Sequence, residues 1–221
     1  ILVLRKYFIN NQFDLIHISG GVWQIKGLIA GKLSNKKIIW QLNDTYMPKL
    51  FHIIFRILLP YSNGIIFSSN RSKDYYSKII TIKKKNVVIQ SGVDTTFYNP
   101  DINFDTKDFF LNFDIKDRKI LGMIANINPI KRVDHFIELN ILLKKHKDLV
   151  FLVICNVPQN QQKLFNEYKK KIQKNKLKNF FFIHSIDDVR PFLKIIDYYF
   201  CLSDYESSPV SVWEAMSMSK V

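Results

Sequence analysis

Only two of the 221 residues are cysteine, too few for the disulfide framework of a stapled, secreted scaffold. Cys155 and Cys201 each sit in an apolar run that reads as a strand, so both are expected as buried, reduced thiols. Long apolar runs are lacking as well. No stretch of about 18 uninterrupted apolar residues occurs, which leaves no candidate for a membrane-spanning helix. The nearest approach, residues 51–60 (FHIIFRILLP), is interrupted by His52 and Arg56 and reads as a buried or surface-lying helix. The first residues carry no charged region, apolar run and small-residue cleavage site of a secretion signal. The expected compartment is therefore cytoplasmic. There is no internal repeat at solenoid periods. Zinc-binding, helix-turn-helix and RNA-recognition signatures are also missing, so a basic nucleic-acid-binding module is a minor alternative and no nucleic acid is expected as partner.

What the chain does have is an apolar share of 47% and a charged share of 24%, the balance of an ordinary globular protein with a sizeable core. The net charge of +14 is unevenly spread. Residues 1–100 hold 14 Lys and Arg against 4 Asp and Glu, a net of +10, and the remainder hold 19 against 15, a net of +4. Such an excess suits nucleic acid, anionic lipid head groups or a phosphate-bearing substrate, and the plain alternative is a chain-wide abundance of Lys, Asn and Ile that supplies many of the lysines. The runs at 83–85 and 169–171 read as solvated lysines.

Short apolar runs alternate with longer amphipathic ones. Residues 14–19, 37–42, 64–69 and 86–90 read as buried strands, with helices expected over 22–33, 47–59 and 70–80. A second series gives strands at 119–125, 149–155, 179–183 and 198–202, and helices at 131–147, 159–175, 187–196 and 209–218. Strands apolar on both faces and separated by helices indicate parallel sheets with helices on each side. The alternation breaks at 97–117, where five Asp, one Pro and no sustained period suggest a linker. The expectation is α/β: two doubly wound, Rossmann-like domains, 1–103 and 117–221, facing one another across a cleft.

The most informative segment is 203–216 (SDYESSPVSVWEAM), directly after the strand at 198–202. Ser208 is a good N-cap and Pro209 suits a first helical position, where its missing N–H costs nothing. A helix would thus start at the carboxyl end of a parallel strand, where ligands bind in open α/β sheets. Free N–H groups around Val210 and Ser211 would suit a phosphate. Glu206 stands before the cap, and Glu214 lies about 7.5 Å along the helix at 1.5 Å per residue. Two such carboxylates can accept hydrogen bonds from hydroxyl pairs on either side of a diphosphate. The plain alternative is a loop glutamate and a solvated helix glutamate.

With both glutamates, the Pro and the Glu-Ala-Met run in register, the segment resembles the E-x7-E motif of family 4 retaining glycosyltransferases. A second stretch, 91–100 (SGVDTTFYNP), is similar to the Gly-Val-Asp…Phe…Pro element at the end of that family's first domain. Gly92 there permits a positive φ and Asp94 an Asx turn. A third, 125–131 (ANINPIK), sits where the family has Gly-Arg-Leu…Lys-Gly. Lys131 maps onto the Lys that meets the donor diphosphate. Asn126 replaces the usual Arg and Arg132 the usual Gly, and Arg132 is a candidate to supply the missing charge. In the first half, 40–45 (WQLNDT) resembles an active-site loop of related polysaccharide transferases, with Gln41 where many relatives have His. A strand-ending Asx turn is the alternative there.

The resemblance implies a GT-B fold and a nucleoside-diphosphate-sugar donor used with retention. No cofactor and no bound metal are expected. It assigns Lys131 and Glu206 to catalysis. It assigns donor binding to Asn126, Lys131, Arg132, Glu206, Ser207, Ser208, Pro209, Val210, Ser211 and Glu214. Gln41, Asn43 and Asp44 fall on the acceptor side. The implied partners are a nucleotide sugar, a glycan or lipid-linked acceptor, and an anionic membrane surface at whose inner face the protein would sit peripherally. Bacterial envelope polysaccharide assembly fits these partners. It further implies a partial chain, with both domains incomplete. A catalytically inactive GT-B scaffold is the alternative, because of Asn126 and Arg132.

Overall fold

The structure, a computed structural model, describes residues 1–107, 113, 115 and 117–221. It divides into two compact units. Ile1–Ser91 with Tyr205–Pro209 form the first, and Gly92–Asp204 with Val210–Val221 the second.

In the first unit, helix α1 (Leu2–Asn10) precedes strands β1 (Leu15–Ser19), β2 (Lys37–Leu42), β3 (Gly64–Phe67) and β4 (Lys85–Val88). Helices α2 (Ile25–Leu33), α3 (Lys49–Leu58) and α4 (Asn70–Ile79) connect them. The strands are parallel and ordered β1-β2-β3-β4, with Ile16 opposite Ile38 and Trp40 opposite Ile65. Successive right-handed crossovers that step in one direction place every helix on the same face. Accordingly Ile38, Trp40 and Leu42 of β2 share one core with Leu28 of α2, Phe55 of α3 and Tyr76 of α4. On the other face Leu15 and Val87 remain about half exposed.

The second unit contains β5 (Lys119–Ile124), α5 (Val133–Leu142), β6 (Leu149–Cys155), α6 (Gln162–Lys174), β7 (Phe180–His184), α7 (Arg190–Ile195), β8 (Tyr198–Tyr199) and α8 (Val210–Ser217). Its parallel order is β7-β6-β5-β8, so the chain steps outward from β5 and then returns to its other side. That reversal puts helices on both faces. Phe151, Val153 and Cys155 pack with Phe136 of α5 and Phe165 of α6. The alternate residues Val150, Leu152 and Ile154 pack with Phe192 of α7 and Ala215 of α8. The period of two splits one strand between two cores, which is why β6 is apolar throughout. Gly122 of β5 is needed for this packing, since a Cβ there would lie 2.6 Å from Ile196 Cγ2.

Four sequence expectations are revised. The division falls at Ser91–Gly92, earlier than the 103–117 stretch, because Tyr98, Phe104 and Phe113 pack on the second unit's core. Residues 108–112, 114 and 116 of the expected linker lie outside the described residues. Strand β8 is two residues long, and Cys201 beyond it is exposed, whereas Cys155 is buried with its thiol pushed up to about 11. Both cysteines are free. The helix expected from Pro209 begins at Val210, and α1 and its apolar residues escaped the sequence reading. Among the described residues no helix is long and apolar enough to cross a membrane.

Candidate active site

In the second unit the reversal of strand order lies between β5 and β8, and a doubly wound sheet binds ligands at the carboxyl ends of the strands flanking that point. The loop after β5 carries Asn126 through Arg132. Asn126 is exposed, and Asn128 caps a one-turn 3₁₀ helix (Pro129–Lys131) by accepting the Ile130 N–H at 2.7 Å. Arg132 follows in the left-handed region at φ 52°, a conformation that costs any residue with a Cβ. This is the position at which the resembled family carries Gly, and the backbone geometry supplies the reason.

The Arg132 guanidinium is engaged. It donates to Asp134 at 3.0 and 3.2 Å and to both oxygens of Asp204 at 3.3 Å, and it contacts His135. Asp134 is held below the usual carboxylate range, with hydrogen bonding and charge from Arg132 outweighing the larger opposing effect of burial. The expectation that Arg132 replaces a missing donor-facing charge meets an arginine whose charge two carboxylates already balance. The same pairing ties the β5 loop to the β8 loop, and the Asp204 N–H donates to the Ile130 carbonyl at 2.9 Å beside it. Two sequence motifs some 70 residues apart thus meet at the switch point.

Helix α8 leaves from the β8 loop. It ends in a Schellman arrangement with Ser219 left-handed at φ 57°, Lys220 N–H reaching Ala215 O and Ser219 N–H reaching Met216 O, each at 2.9 Å. Ser211, in its first turn, hydrogen-bonds Tyr199, whose phenol burial pushes up to about 12. Glu214 is half-buried and accepts from the Tyr98 hydroxyl at 2.8 Å, while the Ser217 hydroxyl donates to the Tyr98 carbonyl at 2.6 Å. Burial first, and then the Glu214 carboxylate, push the Tyr98 phenol up to about 12. Tyr98 therefore stays a neutral donor that fixes one oxygen of Glu214. The sequence reading missed it, although it lies within the 91–100 stretch already singled out.

That stretch is held at both ends. Asp94 accepts from Thr96 N–H at 2.9 Å, Thr96 hydroxyl at 2.6 Å and Phe97 N–H at 3.1 Å, which is the expected Asx turn. The Thr96 hydroxyl is the main reason its carboxyl falls below the usual range. Arg190, paired with Asp188 at 2.6 Å, stacks 3.6 Å over the Phe97 ring. Gly92 does not use the left-handed freedom expected of it, because Gly20 is the glycine with positive φ and nothing lies near a Cβ built on Gly92.

In the first unit, polar groups collect at the carboxyl ends of β1, β2 and β3. Gly20 takes φ 118°, its N–H donates to Gln41 O at 3.0 Å, and its carbonyl accepts the Trp40 indole at 2.8 Å. Gly21 donates its N–H to Asp44, and a Cβ on Gly21 would fall 2.0 Å from Asp44 Oδ2. Burial raises the Asp44 carboxyl above its ordinary value, and the Gly21 bond only partly opposes this. Asn43 donates to Ser19 at 3.1 Å, while its Oδ1 is buried without a partner among the described residues. Gln41 Oε1 faces His17 Nε2 at 3.0 Å. Ser207 sits 2.6 Å from Ser68 Oγ and 2.9 Å from Ser69 Oγ, and Ser208 Oγ accepts the Ser91 N–H at 3.1 Å. Ser68, Ser69, His17 and the Gly20-Gly21 turn were not predicted. Two adjacent glycines after a strand were the available signal for the turn. Of the predicted residues, Glu206–Pro209 belong with the first unit, and Asn126, Lys131, Arg132, Val210, Ser211 and Glu214 with the second.

Residues 105–221 match the family model described as glycosyl transferases group 1, and residues 1–97 match the one described as Glycosyltransferase Family 4. The chain belongs to the group 1 glycosyl transferases. Its fold is GT-B, with two Rossmann-like domains, as the solved structures similar to it also indicate. HepE of Anabaena, solved in complex with UDP and glucose, superposes with a TM-score of 0.85 at 15% identity, over 99% of this chain and 60% of HepE. A glycosyltransferase from Rickettsia africae gives 0.81 at 18% identity, over 100% of this chain and 59% of its own. The trehalose-6-phosphate synthase OtsA gives 0.80 at 11% identity, over 98% and 58%. This glycosyl transferase chain thus spans about 60% of the length of these structures. No curated protein matches the sequence.

Proposed function

We propose that the protein transfers a sugar from a nucleoside-diphosphate sugar to a growing glycan or lipid-linked acceptor, with retention at the anomeric carbon and without a bound metal. Bacterial envelope polysaccharide assembly, at the inner face of a membrane, is the proposed setting. The observation that carries the reading is the junction at the switch point, where Arg132, Ile130 and Asp204 join the two loops that hold the donor motifs. The UDP and glucose bound in HepE support a nucleotide sugar as the donor class.

In this reading, charge that builds on the leaving diphosphate is met by the Lys131 ammonium and the backbone N–H groups of Ser207, Ser208, Val210 and Ser211. Glu206 holds hydroxyls of the transferred sugar, and Glu214 holds the ribose diol through the oxygen that Tyr98 leaves available. Asn126 and Arg132 shape the donor side, Arg132 as a brace between loops. Pro209 sets the chain direction into α8. On the acceptor side Gln41, Asn43 and Asp44 offer one amide pair and one carboxylate. No protein nucleophile is assigned.

One observation favours a second reading, an inactive GT-B scaffold: Asn126 stands where relatives carry Arg, and Arg132 is balanced by Asp134 and Asp204. A screen of nucleotide sugars against the full-length protein, read for both binding and nucleotide release with lipid-linked acceptors, separates the two. Binding with release supports transfer. Binding with no release on any acceptor supports the scaffold, and no binding removes both.

A further inference from the structure

Helix α3 (KLFHIIFRIL) packs one side on the first unit's core through Phe55, with Phe51 and Leu58 beside it. Its opposite side is also apolar. Leu50 is 74% exposed, Ile53 60% and Ile57 61%, and at about 100° per residue these three fall within an arc of about 60° facing away from Phe55. Lys49, His52 and Arg56 occupy the flank between the two apolar sides. An ordinary surface helix would carry polar residues where this one carries large aliphatics.

The exposed stripe does not stop with the helix. It continues through Pro60 and Tyr61, which line a concavity of about 410 Å³ at the amino ends of β2 and β4. Lys32, Lys36, Lys37 and Lys84 line the same concavity, with no carboxylate among its walls, and the Lys32 ammonium lies 5.6 Å over the Tyr61 ring. An aliphatic stripe leading into a cationic hollow has two complementary needs, hydrocarbon and an anion. A protein partner would satisfy the stripe without needing four lysines. A nucleic acid would satisfy the lysines and leave the stripe in water. An anionic phospholipid surface satisfies both, with α3 lying in the interface plane and head-group phosphates in the hollow.

We infer that α3 and this lysine-lined hollow form a docking face for anionic phospholipid bilayers. The inference rests on the membrane-surface part of the proposed function and gives it an address. The test uses the full-length protein with vesicles of phosphatidylglycerol and phosphatidylcholine, against vesicles of phosphatidylcholine alone, followed by sedimentation. Wild type is expected to partition onto the anionic vesicles and to release as salt rises. Leu50→Ser/Ile53→Ser/Ile57→Ser, and separately Lys32→Gln/Lys37→Gln, should each weaken partitioning about tenfold or more. The second variant changes only exposed cations, so it serves even if the first folds poorly. Free inorganic phosphate at matched concentration should not compete.

Absence of wild-type binding overturns the inference, as does either variant binding like wild type or competition by free phosphate. A wild-type dimer that the stripe variant turns into a monomer assigns the face to a second copy. A dye on Ile53→Cys, in a Cys201→Ser background, already shielded without vesicles assigns it to another segment of the protein. Both overturn the inference. Nucleotide-sugar binding measured in the same samples keeps the two readings apart. Loss of vesicle binding with donor binding intact touches only the docking face, and failure of donor binding in wild type touches only the transferase reading.

Discussion

Asp44 concentrates the electrostatics of the first unit. Its carboxylate is half-buried, receives the Gly21 N–H and faces the Tyr76 hydroxyl, which is buried without a partner among the described residues and has its own ionisation pushed up by burial. Because the folded-state value lies above the ordinary 3.8, protonation favours the folded protein. That stabilisation is fully present below the unfolded value and is lost as pH rises through the raised one. Asp44→Asn keeps an oxygen for Gly21 and removes the charge. Urea denaturation at stepped pH should show the variant gaining stability relative to wild type as pH rises through that window, with the gain vanishing toward 3.8. A constant difference across the series would show that the carboxyl does not titrate as its burial requires. Glu214 is the contrasting case. Its Oε1 accepts from a neutral donor, the Tyr98 hydroxyl 2.8 Å away, and the proposed role gives the other oxygen to a ligand diol.

At the scale of the element, α4 shows how local chemistry positions the strand-end cluster. Ser69 caps the helix by accepting the Ser72 N–H at 3.1 Å, and the Ser72 hydroxyl closes the capping box, so the cluster's serines rest on a fixed helix start. Ser69→Ala should cost about 1 kcal/mol of stability from the lost cap, measured by chemical denaturation. A cost near zero would mean that the hydroxyl serves Ser207 rather than the helix. Much of this level was legible in sequence. The apolar runs of β2 and β6 gave their bounds, since a strand buried over its length leaves an uninterrupted signal. Strand β8 was overread because Phe200, Cys201 and Leu202 are as apolar as a strand, yet the ladder with β5 pairs Tyr198 and Tyr199 and closes with the Phe200 N–H donating to the Gly122 carbonyl at 2.8 Å. Helix α1 was missed because none of its residues is buried, so its sequence carries no clear apolar face.

For the whole molecule, the alternation of strands and helices announced two parallel α/β units, and the reversal of order in the second explains why one sheet is covered on both faces. The unit boundary was not legible. Residues 97–117 look like a polar linker, but Tyr98 and Phe104 anchor its first part on the second core, a long-range contact that no local pattern records. The segments assigned to the donor were read from their spacing and resemblance. What spacing could not reveal was that Arg132 is left-handed and charge-balanced, because its partner Asp204 is 72 residues away. The central claim is that the E-x7-E segment forms a nucleotide-sugar site. It is tested most directly by calorimetric titration of the full-length protein and its Glu214→Ala variant with the nucleotide sugar that binds best. Loss of charged hydrogen bonds to a diol, about 1.5–3 kcal/mol, predicts donor binding at least tenfold weaker in the variant with the fold intact. Identical isotherms for the two proteins would contradict it.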